Sequence, residues 1–137
     1  MLAGVTVGSS TSTVYALEVG NVWNSLRTVA VANVGGALVS PLAGGAGAGN
    51  ANGAGSAATF GYPYSLSFYG GSVYVCDMLG NSIRAVNVAT REVTTWVGGG
   101  GTGTSGYADG TGTVALFNVP WRRRRHCGER FRCGHGK

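Results

Sequence analysis

Residues 72–97 read SVYVCDMLGNSIRAVNVATREVTTWV, and this stretch decides the fold class. It opens with Val-Tyr-Val-Cys at residues 73–76, a β-branched and aromatic run that fits a pleated strand better than a helix. Turn-forming residues at 77–81 and 89–91 divide the remainder into two more short runs. The spacing of about ten residues between run centres is typical of a β-sandwich, barrel or propeller. The stretch therefore predicts three short antiparallel strands joined by tight turns.

The composition of the whole chain fits ordered strands with glycine-rich loops. Glycine accounts for 26 of the 137 residues and charged residues for only 11%, but the hydrophobic fraction is 44%. No apolar run approaches the ~20 residues of a membrane helix. The first ten residues lack the basic start and the long apolar core of a secretory signal. We therefore expect a small all-β protein with no membrane association, and the composition leaves its cellular compartment open.

The positive charge of the chain is confined to its last part. Residues 1–120 carry three basic and four acidic side chains, whereas residues 121–137 carry seven basic and one acidic. The body of the chain therefore provides no electrostatic argument for nucleic-acid binding. Any contact with nucleic acid is expected from four consecutive arginines, which are Arg122, Arg123, Arg124 and Arg125. These arginines lack the interleaved aromatic residues on which bases stack.

The chain contains an internal repeat with an offset of 57 residues, which relates residue 24 to 81 and residue 52 to 109. Residues 24–27 are Asn-Ser-Leu-Arg and residues 81–84 are Asn-Ser-Ile-Arg. Residues 52–63 follow the pattern Asn-Gly-x-Gly-x-x-Ala-x-Phe-x-x-Pro, which residues 109–120 repeat with Asp in the first place. One offset recovered in two separated segments indicates a duplicated unit. Each unit is predicted to hold four strands.

A four-stranded antiparallel sheet that recurs along a chain is the blade of a β-propeller. Residues 72–120 resemble an NHL repeat of the longer variety, which has a glycine-rich connector. The motifs that carry this resemblance are VYVCD (73–77), NSIR (81–84), VTT (93–95), GTG (101–103), DGTG (109–112), ALF (115–117) and Pro120. The first unit matches more loosely, with Glu18 where the second has Asp77. The predicted divisions are a first blade and connector at residues 1–63, a second at residues 64–120, and a basic tail at residues 121–137.

The resemblance implies structural roles for the residues that recur. The tyrosines are expected to pack between blades, the phenylalanines to anchor the connectors under the sheets, and the prolines to set the path into the next blade's inner strand. Asp77 is expected to accept hydrogen bonds from the turn that Asn81 closes; a metal-binding or catalytic role is the alternative. The predicted signature is Tyr15, Asn24, Arg27, Phe60, Pro63, Tyr74, Asp77, Asn81, Arg84, Asp109, Gly110, Phe117 and Pro120.

Two blades are fewer than the about four to eight that close a propeller, and they leave apolar faces uncovered. We therefore expect either self-association through the open blade faces or a chain that is a piece of a longer propeller. The sequence RRRRHCGERFRCGHGK after Trp121 departs abruptly from the next blade that the resemblance predicts. Codons can be chosen that encode this tail and that, read one base out of frame, encode a sequence resembling Val-Ala-Val-Asp. We predict that this tail is a frameshifted, disordered remnant without evolved function.

Three further motifs have plain structural interpretations. Residues 101–106 match Gly-x-Gly-x-x-Gly, but that dinucleotide fingerprint needs a helix directly after it, and turn-forming sequence follows instead. The tail residues His126, Cys127, Cys133 and His135 do not have the spacing of a standard zinc site. Cys76 is expected to be a packed thiol rather than a nucleophile. We expect no metal and no cofactor.

The residue types of the body also bear on function. Residues 1–120 contain neither His nor Lys, and their four carboxylates are scattered. Propeller lyases related to NHL proteins use metal-bound histidines, which this stretch lacks. We therefore expect a non-catalytic binding or scaffold module that recognises protein partners, as NHL-type propellers generally do through loops at one rim. The alternatives are a propeller that binds RNA, a glycan or a small ligand, and the remnant of a propeller lyase.

Overall fold

The computed structural model describes residues 2–7, 13–19, 24–32, 36–45, 47–99 and 102–120, with side chains from Ser40 onward. Within these ranges the chain forms nine β-strands, short 3₁₀ helices at Gly55–Ala57 and Gly112–Val114, and no α-helix. The prediction of an all-β fold is therefore confirmed. The predictions for the basic tail fall on residues 121–137, which lie outside the described residues.

The first sheet contains four strands in the order of the sequence. They are β1 (Leu2–Val7), β2 (Thr13–Val19), β3 (Asn24–Ala32) and β4 (Gly36–Gly44). Every neighbouring pair is antiparallel. Because only a few residues separate successive strands, the sheet is a meander, which is the arrangement that short connections allow.

The second sheet repeats this meander with β6 (Pro63–Tyr69), β7 (Ser72–Asp77), β8 (Ser82–Asn87) and β9 (Glu92–Gly98). The three strands predicted within residues 72–97 are β7, β8 and β9, so that prediction is confirmed. A fifth strand, β5 (Gly53–Ala54), pairs antiparallel with β9. It belongs to the glycine-rich connector between the sheets, and a two-residue strand is too short to produce a sequence pattern. The outer edge of the second sheet is thus covered by the unit that precedes it.

The two sheets share their register. Ala16 pairs with Arg27 between β2 and β3, and Val75 pairs with Arg84 between β7 and β8. The register with the last strand shifts immediately before each of these arginines, and the first strand pair of each sheet also carries one shift near its start. Because a slip of one residue turns a strand's side chains to the other face, these common shifts place equivalent residues of the repeat on equivalent faces.

Two turns of the second sheet have a clear origin in the sequence. Gly70 and Gly71 join β6 to β7 with φ of 57° and 81°. A turn with positive φ at both central residues matches the twist of the strands that it joins. Between β8 and β9, the Asn87 side chain accepts hydrogen bonds from Ala89 N and Thr90 N at 2.9 and 3.0 Å. These local contacts help to set the register of the two hairpins.

The hydrophobic core lies between the two sheets and the connector that joins them. The first sheet contributes two residues of β4, the connector two residues, and the second sheet four valines. These buried residues are Leu42, Ala43, Ala58, Phe60, Val73, Val75, Val86 and Val93. β1 and β2 also lie beside β6, so the sheets meet along their first strands as well. One face of the second sheet, its core face, is therefore covered by the first unit.

The other face of the second sheet is its open face, which we define by Tyr74, Cys76, Ile83 and Trp96. Residues along β7 alternate between buried and half-buried, as the period of a strand requires when only one face is covered. Trp96 is 56% exposed. The open face is thus a partly apolar surface that no described part of the chain covers.

Candidate functional site: the contacts between sheets and connectors

Asp77 ends β7 with a fully buried carboxylate that binds three backbone N–H groups. Its Oδ2 accepts a hydrogen bond from Gly61 N at 2.7 Å, and its Oδ1 accepts from Tyr62 N at 2.6 Å and from Gly80 N at 3.2 Å. The bond from Gly80 is the turn contact that the sequence predicts. The two shorter bonds come from residues 47–62, which we call connector 1. Asp77 therefore attaches the preceding connector to its own sheet.

Arg84 lies on β8, two residues from Val86, and its side chain is fully buried on the core face. Its Nη1 donates to Thr59 O at 3.1 Å, and its Nη2 donates to Ala51 O at 3.0 Å and to Asn52 Oδ1 at 2.8 Å. All three acceptors belong to connector 1. A guanidinium presents several N–H donors in a fixed plane, so one side chain can bind several loop acceptors together.

Two neighbouring side chains stabilise the buried positive charge of Arg84. Burial lowers the pKa of the Arg84 guanidinium from its ordinary value, and the Asp77 carboxylate, 4.0 Å away from Nη1 to Oδ2, acts to raise it. The guanidinium carbon also lies 5.5 Å from the centre of the Phe60 ring, within the range of a cation–π contact. A buried ion pair stabilises only when further hydrogen bonds satisfy both partners. Connector 1 supplies such bonds to both oxygens of Asp77 and to both Nη atoms of Arg84, whereas Arg84 Nε has no hydrogen-bond partner among the described residues.

Asn81 attaches the second sheet to the connector that follows it, residues 102–119, which we call connector 2. Its Nδ2 donates to Gly103 O at 2.8 Å, and its Oδ1 accepts from Val119 N at 2.8 Å. Its own backbone N–H donates to Met78 O at 3.3 Å and closes the turn, with φ of 48°. The turn between β7 and β8 therefore binds both connectors: the preceding one through Asp77 and the following one through Asn81.

The two phenylalanines of the repeat differ in burial. Phe60 is fully buried in the core, whereas Phe117 is half-buried beside Gly98 of β9. The reason is that the second sheet covers connector 1, and no described sheet covers connector 2. Pro63 is the buried first residue of β6, and Pro120 is half-buried.

The remaining residues of the predicted signature are dispersed. Asp109 and Gly110 lie in connector 2 and are exposed. Tyr74 lies on the open face and makes an edge-on contact with Trp96, with ring centres 4.9 Å apart. For Tyr15, Asn24 and Arg27, the structure gives the position in the pairing of β2 with β3. The structure thus brings Phe60, Asp77 and Arg84 together around connector 1, and it does not gather the whole signature into one site.

Two residues of this arrangement are missed by the sequence analysis. The side chain of Asn52 accepts a hydrogen bond from Arg84. The only sequence signal for Asn52 is that it is equivalent to Asp109 in the repeat. Arg91, with φ of 63°, donates from Nε to Leu42 O at 3.0 Å and from Nη2 to Pro41 O at 3.0 Å. It thereby joins the second sheet to β4 of the first. No sequence motif signals this contact, because its acceptors are main-chain atoms of another sheet.

A shallow, open hollow of about 250 Å³ lies between the connector and the β8–β9 turn, lined by Ala54, Gly55, Ser56, Thr90 and Arg91. Among the described residues, no three side chains of His, Cys, Asp or Glu are grouped as metal ligands would be. Cys76 is half-buried with a free thiol. None of the helices in the described ranges is both long and apolar enough to span a bilayer.

No model of a protein family matches the sequence, and a search of curated proteins finds no matching relative. The assignment to the NHL-repeat family therefore stays a prediction based on the motifs of residues 72–120.

Proposed function

We propose that this chain is a non-catalytic binding module built from two NHL-type propeller blades at residues 1–63 and 64–120. The observation that carries the proposal is the contact of Asp77 and Arg84 with connector 1. Both side chains belong to the second sheet. Asp77 binds Gly80 N of its own turn, and the other loop groups that the two side chains bind all belong to the first unit. Repeat proteins are stabilised through such contacts between neighbouring units.

A binding role is favoured over catalysis by the way in which charged side chains are used. Asp77 binds backbone N–H groups, and Arg84 and Arg91 bind backbone carbonyl groups. These charges hold the units together, and of the three only Arg91 also lines the shallow hollow beside the β8–β9 turn. A catalytic acid, base or nucleophile has to reach a bound substrate, and these three groups are already occupied by the fold.

The surface best suited to a partner lies at the β7–β8 turn, where three apolar side chains are exposed. Leu79 is 63% exposed, and Tyr62 and Val119 are each 39% exposed. They are neighbours because Leu79 lies against Gly61 and because Asn81 binds Val119 N. We call Tyr62, Leu79 and Val119 the rim patch. Exposed apolar side chains that cluster at one end of a sheet favour a protein partner over a polyanion.

The test is affinity capture by the full chain, compared with two serine variants. Leu79→Ser removes the most exposed side chain of the rim patch. Val114→Ser is the matched control, because Val114 is similarly apolar, is 71% exposed, and lies on the 3₁₀ helix against β9. We expect Leu79→Ser to lose partner proteins that the wild type and Val114→Ser retain. Equal capture by all three chains, or salt-sensitive capture of RNA alone, would contradict the proposal.

A further inference from the structure

Connector 2 repeats the 3₁₀ helix and the loop hydrogen bonds of connector 1. The 3₁₀ helices Gly55–Ala57 and Gly112–Val114 occupy equivalent places in the repeat. Their first residues have nearly identical φ values of 57° and 56°. Each helix lies against the last strand of its own sheet, which is β4 in the first unit and β9 in the second. The loop that receives the second sheet in connector 1 is therefore formed again in connector 2.

The correspondence extends to the hydrogen bonds of the loop that binds Arg84. Thr59 N donates to Ala51 O at 3.1 Å in connector 1, and the equivalent Leu116 N donates to Ala108 O at 3.0 Å in connector 2. In connector 1 the carbonyl groups of Ala51 and Thr59 also accept from Arg84. Connector 2 presents the equivalent carbonyl groups of Ala108 and Leu116. Leu116 O also accepts from Ala108 N at 3.3 Å, and a carbonyl oxygen has a second lone pair for an arginine.

Asp109 supplies the third acceptor of this loop. It stands in the repeat where Asn52 stands, and Asn52 Oδ1 accepts from Arg84 at 2.8 Å. Asp109 is exposed and has no hydrogen-bond or ion-pair partner in the described part of the chain. A carboxylate binds a guanidinium more strongly than a neutral amide does. Asp109 is therefore a suitable acceptor for an arginine that another sheet would provide.

The surface around Asp109 also lacks the cover that connector 1 has. Phe60 is fully buried, and its equivalent Phe117 is only half-buried. The neighbouring open face of the second sheet carries Tyr74 and the 56% exposed Trp96. The second sheet packs on connector 1. A further sheet that packed on connector 2 in the same way would cover this apolar surface.

The first sheet of the chain has the charged residues that such a sheet needs. Arg27 in β3 occupies the position that Arg84 occupies in β8. Each arginine directly follows the register shift between its strand and the last strand of its sheet. In β2, Glu18 pairs with the start of the first strand, as Asp77 does in β7. The chain therefore has a potential acceptor surface at connector 2 and a sheet of matching charge pattern in its first unit.

We infer that the first sheet of a second copy of this chain docks on connector 2 and the open face. Arg27 of the second copy binds Asp109 and the carbonyl groups of Ala108 and Leu116, in the manner of Arg84 at connector 1. Because the two surfaces come from different parts of the chain, the contact is heterologous and closes into a ring or extends into a filament. Propellers close with about four to eight blades, so a ring takes about two to four copies. The inference rests on the proposed blade module.

The molar mass of the full chain in solution, measured by light scattering after size exclusion, tests this inference. We expect the wild type at a multiple of its 13.8 kDa chain mass. Asp109→Ala and Arg27→Ala are expected at the mass of one chain. Asp109→Asn is the matched control and is expected to keep the multiple, because an asparagine performs this role at Asn52. Circular dichroism checks that each variant retains its strands.

Mixing the two alanine variants tests whether the contact is heterologous. An Asp109→Ala chain keeps an intact first sheet, and an Arg27→Ala chain keeps an intact connector 2. Their mixture is therefore expected to form a species of two chains, although each variant alone remains a single chain. A monomeric wild type, an Asp109→Ala variant of wild-type mass, or a mixture without two-chain species would overturn the inference. The comparison of Leu79→Ser with Val114→Ser needs no assembly, so it tests the proposed function separately.

Discussion

Arg84 lies among three acceptors that all belong to connector 1: two backbone carbonyl groups and the side chain of Asn52. The nearby Asp77 carboxylate binds backbone N–H groups of the same connector. Loop backbone that is buried without hydrogen-bond partners costs free energy. These two side chains remove that cost, and the irregular connector can therefore be buried against a regular sheet.

We predict that Arg84→Ala lowers the free energy of unfolding by about 3–5 kcal/mol, since it leaves the buried Asp77 carboxylate without its cation and removes one hydrogen bond from each of three acceptors. Arg84→Lys is expected to lose about 1–3 kcal/mol, because an ammonium group cannot reproduce the planar fork. Urea denaturation of the full chain measures both values.

Arg91→Lys is the matched control for this prediction. Arg91 also binds carbonyl groups of the first unit, but it is exposed, and water can replace its bonds. We expect a loss below about 1 kcal/mol. If Arg84→Ala cost no more than Arg91→Lys, the role assigned to Arg84 would be wrong.

At the scale of the element, the connector that follows each sheet packs against the last strand of that sheet. Connector 2 returns across β9, where Phe117 lies beside Gly98, and Asn81 holds the connector through Gly103 O and Val119 N. The approach is close because Gly98 has no side chain. Its φ of 88° is also a conformation that residues with a Cβ rarely adopt. Gly98 is thus required both by the backbone and by the packing of the connector.

We predict that Gly98→Ala lowers the free energy of unfolding by about 2–4 kcal/mol, because the added methyl group would meet the Phe117 ring and Asn81 O in a strained backbone conformation. Gly70→Ala is the matched control, since Gly70 has φ of 57° and nothing near the place of a Cβ. It is expected to cost about 1 kcal/mol. Thermal or urea unfolding distinguishes the two; equal losses would show that connector 2 does not pack on Gly98.

At the scale of the whole molecule, the two units are alike in backbone and unlike in surroundings. Phe60 and Phe117 have the same place in the repeat, but Phe60 is fully buried, whereas Phe117, beside Gly98 of the second sheet, is half-buried. Burial differs because, among the described residues, connector 1 lies between two sheets and connector 2 lies against one. The difference between the effects of truncating Phe60 and Phe117 on the free energy of unfolding therefore measures how much a neighbouring unit contributes to stability.

We predict that Phe60→Ala lowers the free energy of unfolding by about 3–5 kcal/mol, as expected for a large side chain deleted from a core. Phe117→Ala is expected to cost about 1–2 kcal/mol at low protein concentration, because part of its surface already contacts water. Denaturation at several concentrations provides the measurement. The cost of Phe117→Ala should rise with concentration if copies associate over connector 2. A Phe117→Ala cost as large as that of Phe60→Ala in a dilute sample would contradict the prediction.

The sequence alone determined the all-β fold, the three strands within residues 72–97 and the 57-residue repeat. These features follow from local chemistry: β-branched runs favour strands, glycine and asparagine favour turns, and a repeated pattern places equivalent residues in equivalent registers. The motifs also indicated Asp77 and Arg84 as important, although the predicted partner of Asp77 was only its own turn.

Only the tertiary structure decided which groups these residues bind. Arg84 and Asp77 bind backbone atoms of connector 1, and Arg91 binds carbonyl groups of β4. Backbone atoms are the same in every residue, so no sequence pattern identifies which of them lies opposite a given side chain. The burial of Phe60 and the exposure of Phe117 likewise depend on which sheet lies over each connector, and equivalent sequence positions cannot show that difference.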